Sequence, residues 1–204
     1  MTSTFRALTH GAVAVAALGI AIGACAQSSQ SSLAREITGP RAGKSFIDLS
    51  VGKSTYHTSC GNVAGLTCSR GTTSYSLTAG NMITDNVGIE LSAMNLGKAD
   101  RAGGSVIARG INLSAVGRLP LGDVFGLDAK VGTTYGVTHV SPAADAGLGS
   151  GRARGFGLGY GVALDVNVTR GIHGSVGWEQ HGFKFAGQGR SNVSNVTLAL
   201  GYTF

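Results

Sequence analysis

Val196-Thr-Leu-Ala-Leu-Gly-Tyr-Thr-Phe204 ends the chain and decides the fold. Val196, Leu198, Leu200, Tyr202 and Phe204 are apolar at every second position, and Thr197, Ala199, Gly201 and Thr203 between them are small or polar. In an extended strand the two sets point to opposite faces. One face is greasy and ends in aromatics; the other is too small to build an ordinary core. A sandwich edge strand is one reading of this stretch. A strand in the wall of a lipid-embedded barrel is the other, and it gives the terminal Phe204 a place at the membrane interface.

The same alternation recurs upstream. Ile47, Leu49 and Val51 oppose Asp48, Ser50 and Gly52; Thr73, Tyr75, Leu77 and Ala79 oppose Ser74, Ser76, Thr78 and Gly80. Val87, Ile89, Leu91 and Ala93 oppose Gly88, Glu90 and Ser92. Ile107, Ile111, Leu113 and Ala115 oppose Gly110, Asn112 and Ser114, with Arg109 on the apolar side, where it must sit near a membrane edge and snorkel. Phe125 to Tyr135 is the clearest strand, with Asp128 and Lys130 on its polar side. Phe156 to Val166 alternates with glycines, Ala163 and Asp165, and Ile172, Val176 and Trp178 oppose His173, Ser175, Gly177 and Glu179.

Eight strands result, with long connections expected near 55–70, 96–105, 138–153 and 181–192. Short ones are expected near 81–86, 119–123 and 167–170. A soluble sandwich has no reason to collect its long loops at one end, whereas an outer-membrane barrel has short periplasmic turns and long external loops. Lipid tolerates no unpaired sheet edge, so the strands must close. The expected fold is all-β, an eight-stranded antiparallel up-and-down transmembrane β-barrel over residues 44–204.

Residues 1–26 read as an export signal. Arg6 supplies the positive region, Gly11 to Ala24 the apolar run, and Ala24-Cys25-Ala26 the small-residue cleavage site. Ile22-Gly23-Ala24-Cys25 also resembles a loose lipobox in which Cys25 would carry lipid, and a membrane helix is a third reading. Residues 27–43 are polar and aperiodic, a periplasmic leader. Cys60 and Cys68 then remain, in a Gly/Ser/Thr/Asn-rich stretch without histidine at metal spacing, and in an exported protein they read as a loop disulfide.

The net charge of +6 and 34 glycines exclude little alone. No G-X-Y period marks a collagen, and the basic residues are scattered and exported, so acidic groups of membrane lipids are expected as partners, not nucleic acid.

Three stretches then resemble a known family: Phe46-Ile-Asp-Leu-Ser-Val-Gly-Lys53, Ala79-Gly-Asn-Met-Ile-Thr-Asp-Asn-Val-Gly-Ile-Glu-Leu91, and Leu200-Gly-Tyr-Thr-Phe204. They are similar to the OmpA-like and OmpX-like eight-stranded outer-membrane barrels. The resemblance covers about residues 44–204. It implies a Gram-negative outer-membrane location and insertion by the barrel-assembly machinery, with Leu200, Tyr202 and Phe204 as the assembly signal. The chain stops with the barrel, so no peptidoglycan-tethering domain is expected, and a monomer is.

Candidate chemistry is sparse. Gly155-Phe-Gly-Leu-Gly-Tyr-Gly161 has glycines at strand, not phosphate-loop, spacing, so these glycines read as inner-face room for long side chains. His173, Ser175 and Glu179 share one parity and suggest a lipid A-trimming barrel hydrolase. His173 and Glu179, however, are separated by about 20 Å of strand, and the Asn expected after Ser175 is missing, so no enzyme is expected. His139 and His181 are expected in external loops, solvated and not metal ligands; neither cofactor nor metal site is expected. Asp48, Glu90, Asp128, Lys130 and Asp165 are expected inside the barrel, joined by Arg118 and His173 near the same end, as a plug that denies a wide pore. The expected function is structural or surface-exposed, with loop cations Lys98, Arg101, Arg152, Arg154, Lys184 and Arg190 binding lipopolysaccharide or host polyanions. A small adhesin or resistance factor, a lipid A hydrolase and a narrow pore are the alternatives.

Overall fold

The structure is a computed structural model that describes residues 43–58, 71–101, 103–141 and 150–204. The expected export signal, most of the expected leader, and Cys60 and Cys68 lie outside the described residues. Eight strands run in chain order: β1 (Ser45–Tyr56), β2 (Gly71–Met82), β3 (Val87–Arg101), β4 (Gly104–Leu121), β5 (Phe125–Ser141), β6 (Gly151–Asn167), β7 (Ile172–Phe185) and β8 (Gly189–Thr203). Each pairs antiparallel with the next, and β8 returns to β1 to close a barrel.

Closure is made by the terminal stretch. Thr203 lies opposite Phe46 and Val193 opposite Tyr56. Phe204 N donates to Ser45 O at 2.8 Å, and Ser45 N donates to Phe204 O at 3.0 Å. No strand edge is left at this seam, as a hydrocarbon environment requires. The start of β1, Phe204 and the turns at 83–86, 122–124 and 168–171 share one end of the barrel, called lower here. Thr84 Oγ1 accepts from Val87 N and Thr169 Oγ1 from Ile172 N, side-chain bonds that fasten two of these turns.

The outer wall of the lower part is apolar. Leu49, Leu198 and Leu200 are 66%, 61% and 63% exposed on it, and Ser54, Ser74 and Thr134 are buried inside. So much exposed aliphatic surface is untenable in water and suits lipid. Toward the upper end the pattern inverts. Tyr56, Leu96, Val106, Val140, Phe183, Phe185 and Val193 are buried inside, while Lys53, Arg109, His139, Arg152 and Arg190 stand exposed outside. The inversion follows from the solvent: where the wall leaves hydrocarbon and meets water, the favoured outward residue changes from apolar to polar.

This inversion accounts for the main departure from the expected loops. Residues 96–101 and 104–105 continue β3 and β4, joined across 102–103, and 182–185 and 189–192 continue β7 and β8 across 186–188. The connection expected at 138–153 likewise shrinks, because β5 runs to Ser141 and β6 starts at Gly151. Lys98, Arg152, Arg154, Lys184 and Arg190, expected on loops, therefore sit on strands, and Arg101 ends β3.

Two irregularities shape the upper end. The β3–β4 register shifts between Asn95 and Lys98. Gly97 there adopts φ +77°, and its N–H donates to Asn95 Oδ1. A side chain at Gly97 would strike Thr73 O, so this bulge needs glycine on both counts. The second irregularity lies between β6 and β7, whose pairing ends at Gly159 and His181 although both strands continue upward. Above that point β7 leans inward and reaches β5, where Thr138 Oγ1 donates to Lys184 O at 2.5 Å. The inner glycines make this possible. A Cβ on Gly157 would strike Gly182 O, and one on Gly136 would strike the Phe183 ring. The β7–β8 hairpin thereby becomes a lid folded into the barrel mouth.

Candidate functional site

Inside the barrel, ion-paired charged side chains are concentrated, and the interior is built in three layers by the inward parity of the strands. In the lowest layer, Asp48 of β1 meets His173 of β7, with Oδ1 and Nε2 2.8 Å apart. His173 Nδ1 lies 3.3 Å from Thr203 Oγ1, and the Phe46 ring meets the imidazole edge-on. Gly201 leaves the space: a Cβ there would overlap Asp48 Oδ1 and the His173 ring. Beside this pair, Arg118 Nε and Nη2 grip the Asp128 carboxylate at 2.6 and 2.5 Å, and Nη2 also reaches Asp165 Oδ2 at 3.2 Å. The fork geometry of a guanidinium suits this double duty.

The middle layer is a closed ring of polar contacts. Lys130 Nζ binds Glu179 Oε1 at 2.5 Å and Glu90 Oε1 at 3.1 Å. Glu179 Oε2 accepts from His181 Nε2 at 3.0 Å, and His181 Nδ1 pairs with Thr134 Oγ1 at 3.0 Å. Thr134 Oγ1 donates to Asn112 Oδ1 at 2.9 Å, Asn112 Nδ2 to Ser114 Oγ at 2.5 Å, and Ser114 Oγ to Glu90 Oε1 at 3.5 Å. The ring returns to its starting cation. Residues from β3, β4, β5 and β7 take part, so it braces the barrel across its diameter.

The upper layer is apolar. Phe183 meets Phe185 with ring centroids 6.5 Å apart, and Phe185 meets Tyr56 edge-on at 6.4 Å. The Tyr56 hydroxyl donates to Gly97 O at 2.8 Å and accepts from Ala108 N at 3.0 Å, which ties the lid's floor to β3 and β4.

Asp48, Glu90, Asp128, Lys130 and Asp165 are thus all on the inner face, with Arg118 and His173 among them. His173, Ser175 and Glu179 are not brought together: His173 belongs to Asp48, and Glu179 to Lys130 and His181. His139 and His181 correct the sequence expectation of external loops: His139 is exposed on strand β5, and His181 is 2% exposed inside the barrel. Its inward parity with Glu179 was the available signal. Thr134, His181 and Glu179 do follow the order nucleophile, base, acid, but Thr134 has no exposure at all and its hydroxyl bonds Asn112. Leu200, Tyr202 and Phe204 face outward on β8, with the Tyr202 and Phe204 rings stacked at 6.3 Å.

The sequence profile of the family described as "Outer membrane protein beta-barrel domain" matches residues 12–204. Solved structures share the fold. Neisserial surface protein A is 11% identical with a TM-score of 0.58, covering 79% of this chain and 99% of its own. OprG from Pseudomonas aeruginosa is 17% identical with a TM-score of 0.56, covering 82% and 99%. Ail, the attachment invasion locus protein of Yersinia pestis, is 17% identical with a TM-score of 0.53, covering 80% and 99%. Ail is also known in complex with the heparin analogue sucrose octasulfate. No curated protein sequence matches this chain.

Proposed function

Because the chain belongs to the outer membrane protein β-barrel domain family, we propose that it serves the Gram-negative outer membrane as a structural barrel acting through its external surface, and neither as a channel nor as an enzyme. One observation carries this reading: side-chain contacts cross the lumen at three levels. Arg118 bridges Asp128 and Asp165 below, the Lys130 ring spans the middle, and Phe183 and Phe185 close the top. An eight-stranded barrel has room for side chains and little else, so its free chemistry is on the outside. The lower end, where every turn is three or four residues and the chain ends at Phe204, is taken as periplasmic and the lid as external, and insertion as a monomer by the barrel-assembly machinery fits the outward Leu200, Tyr202 and Phe204.

The external cations give the surface role its chemistry, phosphate groups of lipopolysaccharide. Folded protein incubated with lipopolysaccharide is expected to bind it and leave its acyl chains intact by mass spectrometry. Release of an acyl chain would reverse the non-enzymatic reading; absence of binding would reverse the lipopolysaccharide reading. A second reading, an adhesin for sulfated host polysaccharide, is favoured by the exposed arginines and by the sulfated ligand held by the structurally similar Ail. Capture of heparin in preference to lipopolysaccharide would select it.

A further inference from the structure

The cations of the upper wall are not scattered when placed by strand register. Lys98, Ile107, His139 and Arg152 form one outward row across β3, β4, β5 and β6, and Asn95, Arg109, Val137 and Arg154 form the row beneath it. Adjacent strands are about 4.8 Å apart, so Arg109 and Arg154, separated only by β5, have backbones about 10 Å apart. All of these cations are exposed, and none is ion-paired with a described carboxylate. The nearest acid among the described residues of this wall, Asp100, stands one row higher, opposite Ser105. The next row down is Ala93, Ile111, Tyr135 and Phe156, apolar throughout, with the Tyr135 and Phe156 rings in contact at 5.0 Å. The cations therefore stand directly above an aromatic boundary, where headgroups meet the wall.

Two depressions meet at Arg109. One, of about 250 Å³, lies among Ile107, Arg109, Val137, His139 and Arg152. The other, of about 550 Å³, runs down the apolar wall between Leu77, Tyr75, Ile111 and Tyr135. Ala93 opens this furrow, because it is the small residue in a row flanked by Leu77 and Ile111.

We infer that Lys98, Arg109, Arg152 and Arg154, with the furrow over Ala93, form a binding site on the barrel wall for a phosphorylated, acylated sugar lipid of the outer leaflet, its phosphate held by the arginines and one acyl chain lying in the furrow. The inference rests on the lipopolysaccharide reading above and moves the site from the loops to the wall. The pairing of features names the ligand. A soluble polyanion would use the cations and have no need of an apolar furrow in lipid, and a plain acyl lipid would have no need of a cluster of exposed arginines. Guanidinium forks bind phosphate with two parallel hydrogen bonds, which a lysine does not reproduce.

The test uses the full folded protein in phosphatidylcholine bilayers, with labelled lipid A carrying or lacking its phosphates as probe. Combined Arg109→Gln, Arg152→Gln and Arg154→Gln is expected to weaken phosphorylated lipid A by about tenfold or more, equivalent to about 1.4 kcal/mol, and to leave the dephosphorylated form unchanged. Ala93→Leu is expected to weaken both forms by filling the furrow. Lys184→Gln with Arg190→Gln, on the lid hairpin, is expected to match wild type. These substitutions are on exposed positions, and folding is checked by Trp178 emission. Loss on the lid pair with retention on the wall triple would overturn the wall site and leave the lipopolysaccharide reading standing. No binding by wild type would overturn both. Tighter binding of sucrose octasulfate than of lipid A through the same arginines, insensitive to Ala93→Leu, would assign the patch to a soluble polyanion and overturn the inference.

Discussion

Replacing Lys130 with Met removes the cation on which the middle ring turns. Its Nζ holds two carboxylates, Glu179 at 2.5 Å and Glu90 at 3.1 Å, whose side chains are only 18% and 6% exposed. The two acids would not be left alike. Glu179 keeps His181 at 3.0 Å, but Glu90 keeps only Ser114 Oγ at 3.5 Å, a long contact that does little for a buried charge. Removing one partner from a buried pair costs about 3–5 kcal/mol, chiefly because the other charge is stranded. That corresponds to about two to four decades in the unfolding equilibrium. The assay is reversible urea unfolding in phospholipid vesicles, followed by emission of Trp178, the single tryptophan of the chain, which faces outward on β7. Adding Glu90→Gln should return most of the loss, with a coupling between the sites of about 2 kcal/mol. A loss below about 1 kcal/mol, or no recovery with Glu90→Gln, would refute the stranded-charge reasoning.

Gly201→Ala should cost about 1–3 kcal/mol, because its Cβ overlaps the Asp48–His173 pair at the β1–β8 seam; urea titration measures it, and a neutral result would mean that the pair moves aside freely. Phe183→Ala should cost about 3–5 kcal/mol and speed amide hydrogen exchange in residues 182–192, leaving the ring around Lys130 protected. Tyr202→Ser with Phe204→Ser should leave export intact and lower the yield of protease-resistant protein in outer-membrane fractions, since the terminal strand must find β1 before either edge is covered. Reduction of whole cells followed by thiol labelling should reach Cys60 and Cys68 if their segment is external; labelling only after lysis would place them on the other side.

What was legible in the sequence was the part of the barrel that lipid dictates. In Phe125–Tyr135, Phe156–Val166 and Val196–Phe204 hydrocarbon demands apolar residues at the outward positions, met at all but Thr133, and the inner parity of Asp48, Glu90, Asp128, Lys130 and Asp165 follows from the same alternation. Above the interface the demand reverses. Asn192 out and Val193 in is a good strand pattern for a wall in water, yet it continues the lower pattern with its sign changed, so the stretch reads as a polar loop. His181 was misplaced for that reason: it stands inside, two residues beyond Glu179, in a segment whose apolar outward signal had ended. The lean of β7 was half legible. The alternating glycines of β6 announced room on the inner face, but not that Gly182 and Phe183 of the neighbouring strand would occupy it. The bulge at Gly97 depends on contacts with Thr73 on another strand and could not be read locally.

The proposal that the barrel is not a channel is tested most directly by single-channel recording of the folded protein in a planar bilayer. No steady porin-sized conductance is expected in the wild type, and none in Phe183→Ala, because the Lys130 ring and the Arg118 bridge still close the passage beneath the lid. A stable, porin-sized conductance in the wild type would mean that the interior is open and that transport, not an external surface, is what the barrel provides.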